Sequence, residues 1–119
     1  MSKSILKEKS YAFALRMVKL YKFIVARNKE YVLSKQVLRS GTSIGANVEE
    51  AGQAQSKADF VHKLAIAQKE AFETDYWLRL LRDSQYVSVA QAASLLSDCV
   101  ELQKMVTASI KTAKRNSRR

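Results

Sequence analysis

Apolar side chains recur along this chain every three or four residues, the repeat of one face of an α-helix, in four separate runs. The first is Phe13, Met17, Leu20 and Ile24, doubled by Ala14, Val18, Tyr21 and Val25 beside it. Together they predict one broad apolar face on a helix over about 7–27, with Asn28 as its end signal. The second run, Leu33, Val37, Ser40, Ile44, Asn47 and Ala51, alternates steps of four and three and predicts a helix over about 32–51. The third keeps that alternation from Phe60 through Leu64, Ala67, Ala71, Thr74 and Leu78 to Leu81 and predicts a helix over about 57–82. The fourth, Val89, Ala92, Leu96, Cys99, Gln103, Val106, Ile110 and Ala113, predicts 89–113.

Start signals frame the last two helices. Ser56 with Asp59 resembles a capping box, and Ser88 with Gln91 completes one. Asp75 and Arg79 form a favourable pair one turn apart. The three connections are only about four to seven residues long, and links that short force successive helices to lie antiparallel as neighbours. The expected fold is all-α: an antiparallel up-down-up-down four-helix bundle over residues 1–113, followed by a basic tail, 114–119, that frays.

Two stretches depart from a plain bundle. Ser40, Gly41, Thr42, Ser43, Gly45 and Ala46 are small or β-branched, and each glycine costs about 1 kcal/mol of helix propensity relative to alanine. A kink, a local irregularity or a very close helix crossing is expected there, with Ser40, Gly41, Ile44, Gly45 and Asn47 at the packed positions. Asn47 lies on the apolar stripe, where an unsatisfied amide would cost about 1–3 kcal/mol, so it is expected to hydrogen-bond across the bundle. The third helix carries the other departure. Phe72, Tyr76, Trp77 and Leu80 fall outside its heptad stripe, which predicts a further partner surface, most simply another copy of the chain.

A length of 119 residues suits one domain with its own core. The absence of proline and the presence of only three glycines leave little room for an all-β fold. Cys99 has no second cysteine to pair with and reads as a small core residue in a reducing compartment. The amino terminus lacks a signal-peptide core, and no run reaches the ~18 apolar residues of a membrane span, so a cytoplasmic protein is expected and no membrane partner. The net charge of +10 is uneven: +8 over residues 1–40, −4 over 41–101 and +6 over 102–119.

Several motifs tempt a chemical reading. Gly41-Thr42-Ser43-Ile44-Gly45 fits a nucleophile elbow, which needs a strand-to-helix turn, whereas the pattern here is helical on both sides. A bundle di-iron site needs a Glu-x-x-His from each of two helices, and His62 is the only histidine. Glu49, Glu50, Glu70 and Glu73 supply carboxylates, which on bundle helices mostly pair with Lys or Arg. No convergent set of nucleophile, base and orienter emerges, so no enzyme, cofactor or metal is expected.

The segments Leu38-Arg39-Ser40-Gly41-Thr42-Ser43-Ile44-Gly45-Ala46-Asn47-Val48-Glu49-Glu50-Ala51 and Asp59-Phe60-Val61-His62-Lys63-Leu64-Ala65-Ile66-Ala67-Gln68-Lys69-Glu70-Ala71, then Glu73-Thr74-Asp75-Tyr76-Trp77-Leu78-Arg79-Leu80-Leu81, resemble one bacterial family. It is the family of four-helix bundle proteins first noticed in intervening sequences of 23S ribosomal RNA genes. The resemblance covers nearly the whole chain and implies four antiparallel helices and a ring-shaped homopentamer. Related accessory proteins of diversity-generating retroelements form basic barrels that engage nucleic acid and a reverse transcriptase, which makes RNA or DNA and such an enzyme the implied partners. The net-acidic stretch over 41–101 departs from those relatives. No catalytic residues come with the resemblance.

Two functions follow as expectations. One is an oligomeric scaffold or binding module that touches nucleic-acid phosphates through Lys19, Lys22, Lys111, Lys114, Arg115, Arg118 and Arg119. The alternative is an oligomer that engages proteins only, its tail cations relieving the helix dipole and aiding solubility.

Overall fold

Four helices account for the chain in a computed structural model that describes the backbone of residues 2–117 and the side chains of residues 5–116. They are α1 (Ser2–Asn28), α2 (Leu33–Gly52), α3 (Lys57–Asp83) and α4 (Val89–Ser117). Each packs against the next, α1 and α4 close the ring of contacts through the sparsest seam, and the diagonal pairs α1–α3 and α2–α4 bring no backbone positions close together among the described residues. Cross-seam partners run in opposite directions. Lys9 meets Glu101 while Arg16, further along α1, meets the earlier Asp98. Lys63 meets Glu50 while Glu70, further along α3, meets the earlier Arg39. The bundle is therefore antiparallel throughout, a rod of 52 × 21 × 21 Å.

The apolar stripes become the core, with some redistribution. Phe13, Met17, Leu20 and Ile24 are buried, but of the row beside them Ala14, Tyr21 and Val25 are half-buried and Val18 is exposed. The buried face of α1 is thus narrower than its apolar face. In α4 the buried set also includes Leu95 and Leu102, while Leu96 is only half-buried. Val89 is 73% exposed, because it opens α4 at the tip of the rod, ahead of the first turn that packs. α1 starts earlier than its periodicity predicts, at Ser2. Lys114 and Arg115, expected in a fraying tail, are helical, since α4 continues to Ser117.

Polar groups at the helix ends account for the boundaries. The Glu30 carboxylate accepts hydrogen bonds from the backbone N–H groups of Val32, Leu33 and Ser34, each at 2.9 Å, and so caps α2. Asp59 N–H donates to Ser56 Oγ at 3.0 Å at the start of α3. The Ser88–Gln91 box is reciprocal, with bonds of 2.8 and 3.0 Å. At the end of α3, Gln85 takes the left-handed conformation (φ 70°); its N–H reaches Arg82 O and that of Tyr86 reaches Leu81 O, the paired bonds of a Schellman motif.

The small-residue stretch produces a close crossing, and α2 runs through it unbroken. A Cβ added at Gly45 would lie 3.2 Å from Ser10 O, and one at Gly41 would lie 2.5 Å from Met17 Sδ. α1 and α2 approach so closely that a Cβ would press on the α1 backbone at Gly45 and on the Met17 side chain at Gly41, a crossing that favours a residue without a side chain. The hydroxyls that weaken helix propensity are absorbed locally: Thr42 Oγ1 bonds Leu38 O at 2.7 Å and Ser43 Oγ bonds Arg39 O at 2.6 Å. Asn47 does the same. Its Nδ2 donates to Ser43 O at 2.8 Å within α2, which corrects the expectation of a bond across the bundle. The amide is half-buried and faces its own preceding turn, so the nearest carbonyl satisfies it.

The layer that does cross the bundle lies elsewhere. Ser40 and Thr74, both fully buried, place their hydroxyl oxygens 2.9 Å apart across the α2–α3 seam. Across the α3–α4 seam, Gln103 Nε2 donates to Asp75 at 3.1 Å, and the Cys99 thiol lies 3.2 Å from Ala71 O.

Candidate nucleic-acid interface and association faces

The antiparallel topology separates the cations nominated for phosphate contact. Lys19 and Lys22 lie beyond Arg16 on α1, beside the start of α4, whereas Lys111, Lys114 and Arg115 lie beyond Glu101 on α4, beside the start of α1. At 1.5 Å per residue the two sets stand roughly 30 Å apart along the rod. All five are exposed and make no ion pair among the described residues. Arg118 and Arg119 lie outside the described residues. Arg27 and Lys29, which charge counting did not single out, are also exposed and extend the Lys19–Lys22 end.

Most of the acidic side chains are consumed by neighbours. Glu49 pairs with Lys7, Glu50 with Lys63, Asp75 with Arg79 and Asp83 with Arg82. Arg39 forks across the α2–α3 seam to Glu70 and Glu73, which also accepts the Trp77 indole N–H at 2.9 Å. The indole bond foremost, and the guanidinium after it, hold the Glu73 carboxyl below the usual carboxylate range against the opposing effect of burial. With Glu101 and Asp98 bound to Lys9 and Arg16 and Glu30 spent on its cap, only Glu8 and Asp59 of the acidic residues are outside such arrangements among the described residues. The negative stretch over 41–101 is therefore largely neutralised by neighbouring cations, and the unpaired excess is positive.

The candidate packing residues divide into two groups. Ser40, Gly41, Ile44 and Gly45 are buried within the bundle at its own helix crossings, so they do not form an outer surface. Phe72 and Tyr76 are exposed, at 55% and 50%, with Leu80 and Trp77 half-buried beside them and the Trp77 ring edge-on to Tyr76 at 5.1 Å. A second outer stripe, which periodicity alone merges into the core face of α1, consists of Tyr11, Leu15 and Val18. Its signal in the sequence is the doubled apolar row, too wide for one seam.

Ser43 sits in mid-helix with its hydroxyl on a carbonyl of its own turn, and His62 is exposed on α3. Burial pushes the Cys99 thiol up to about 12, which keeps it protonated and unreactive at neutral pH. Among the described residues no group of three His, Cys, Asp or Glu side chains is placed to hold a metal ion. No described helix is long and apolar enough to cross a membrane.

The described chain is thus an all-helical four-helix bundle with exposed cations toward its ends and apolar stripes on its outer faces. The chain belongs to the 23S rRNA-intervening sequence protein family, whose model matches residues 2–108. Among solved structures it is similar to a protein of unknown function from the S23 ribosomal protein family of Bacteroides thetaiotaomicron VPI-5482, with 54% identity and a TM-score of 0.92 over 93% of this chain and 99% of that one. No protein of curated function matches it.

Proposed function

We propose that this chain is a non-catalytic, homo-oligomeric binding module that engages nucleic-acid phosphates through the unpaired cations at the ends of its rod. The observation that carries the reading is the fate of the charge: acids are neutralised in ion pairs, most of them between helices, while Lys19, Lys22, Lys111, Lys114 and Arg115 remain exposed and unpaired. Each phosphate they neutralise releases a condensed counterion, so the binding is weakly sequence-selective and falls steeply with salt. Oligomer symmetry multiplies each basic end. Five copies is the number that the family resemblance supplies, and the exposed aromatic stripe on α3 supports self-association.

Fluorescence anisotropy with labelled RNA and DNA duplexes at about 50 and 200 mM salt tests the reading, with Lys111→Gln/Lys114→Gln/Arg115→Gln and Lys19→Gln/Lys22→Gln as variants. Each variant should bind more weakly, and the slope of log affinity on log salt should fall by about one for every phosphate left without its cation. Absence of binding at the lower salt would remove the nucleic-acid role and leave a scaffold that engages proteins only.

A further inference from the structure

Two outer stripes on this bundle match each other. On α1, Glu8, Tyr11, Leu15, Val18 and Lys22 follow one another at steps of three or four along a single exposed face. On α3, Lys69, Phe72, Tyr76, Leu80 and Asp83 do the same, and all but Leu80 are exposed. Both series cover fifteen residues from first charge to last, roughly 21 Å of helix. Their charges are reversed: acid, three apolar residues and base on α1, against base, three apolar residues and acid on α3. Because α1 and α3 run in the same direction on diagonal corners of the bundle, the stripes face opposite sides of the rod.

We infer that the α1 stripe of one copy docks in parallel on the α3 stripe of the next, with Glu8 beside the partner's Lys69; Lys22 stays free at the rim of the joint, because Asp83 is already held by Arg82. This rests on the homo-oligomer proposed above and names the surfaces that build it. The joint is heterologous, so every copy uses one face of each kind and copies add head to tail, into a ring where the rotation at each joint closes and into a filament where it does not. An α3–α3 contact about a two-fold axis would also bring Lys69 toward Asp83, but it would leave Tyr11, Leu15 and Val18 in water, whereas a single α1–α3 joint covers both stripes. The ion pairs Lys7–Glu49 and Glu50–Lys63 set Lys7 and Lys63 at similar heights, so Lys69 stands roughly 8 Å above Glu8 within a protomer. Joined copies are offset by that amount, which a ring accommodates by tilting each bundle. Asp83 already pairs with Arg82 of its own helix, so the Glu8–Lys69 end is the more informative one to alter.

The experiment mixes two variants, one with each face broken: Leu15→Asp, which keeps the α3 face, and Phe72→Asp, which keeps the α1 face. Both positions are half-exposed or more, so helicity should hold, and Tyr11→Glu is the second α1-face variant if Leu15→Asp loses helicity. Light scattering should give wild type well above its 13.5 kDa chain mass, each variant alone at the chain mass, and the mixture a one-to-one dimer. Glu8→Lys should weaken wild-type assembly, and adding Lys69→Glu in the same chain should restore it. A variant that assembles like wild type, or a mixture that stays monomeric, overturns the α1–α3 joint while leaving the homo-oligomer standing. A wild-type mass of 13.5 kDa that persists on concentration removes the homo-oligomer itself, and the joint with it.

Discussion

Gly45 and Gly52 lie in the same helix and make opposite demands on a side chain. A Cβ at Gly45 meets the Ser10 carbonyl oxygen of α1 at 3.2 Å, whereas one at Gly52 meets nothing within 4 Å. Backbone cannot swing aside as a side chain can, so Gly45→Leu should overpack the α1–α2 crossing and cost roughly 1–3 kcal/mol or more. Gly52→Ala should instead gain about 0.4–1 kcal/mol, by reducing the freedom of the unfolded chain without a clash. Urea denaturation of the two variants checks both, and a wild-type midpoint for Gly45→Leu would show that the crossing is not tight. The glycine pattern is readable in the sequence because two glycines four residues apart on one helix face mark a close approach. Asn47 misleads for an equally physical reason: an amide on an apolar stripe must be satisfied, but the stripe does not say whether the partner is a neighbouring helix or the carbonyl one turn back.

At the scale of the element, the heptad stripes and the two boxes beginning at Ser56 and Ser88 are enough to place α3 and α4 to within a few residues, because each start carries a hydroxyl that meets a free N–H. The start of α2 is not legible in this way. Its cap is Glu30, a long side chain three residues ahead of Leu33 that folds back onto three N–H groups, outside the usual Ser, Thr, Asp and Asn pattern. Burial works to raise the Glu30 carboxyl, but the bonds from Leu33, Ser34 and Val32 outweigh it and hold the group below its ordinary value. A folded value below the unfolded one means that the stabilisation is fully present above the ordinary carboxylate range and is lost as pH falls through the folded value. Glu30→Gln should therefore destabilise the protein by about 1 kcal/mol at neutral pH, with the gap from wild type closing on acidification. Thermal melts from pH 7 downward follow it, and a gap that stays constant into acid would mean that the carboxylate charge plays no part in the cap.

Across the whole molecule, charge is decided by topology more than by composition. Counting along the chain finds two basic segments but not that an antiparallel fold sends their free cations to opposite ends, nor which acids they meet, because those pairings depend on which way each residue faces around its helix. The same topology ranks the seams. α2 and α3 each pack well against two neighbours, whereas α1 and α4 meet only sparsely. The ion pairs Lys9–Glu101, at 3.0 Å, and Arg16–Asp98, at 2.6 Å, tie that closing seam, with about half of each side chain in solvent. Pairs so exposed contribute on the order of 0.2–1 kcal/mol each and weaken in salt, so they align the seam more than they lock it. Local opening should begin there. In the monomeric Leu15→Asp variant, amide hydrogen exchange should be slowest in the middle of α2 and α3 and faster along α4, and about 0.5 M salt should speed exchange in α4 more than in α2. Uniform protection across the four helices, unchanged by salt, would mean that the bundle opens only as one unit and that the sparse seam sets no order of events.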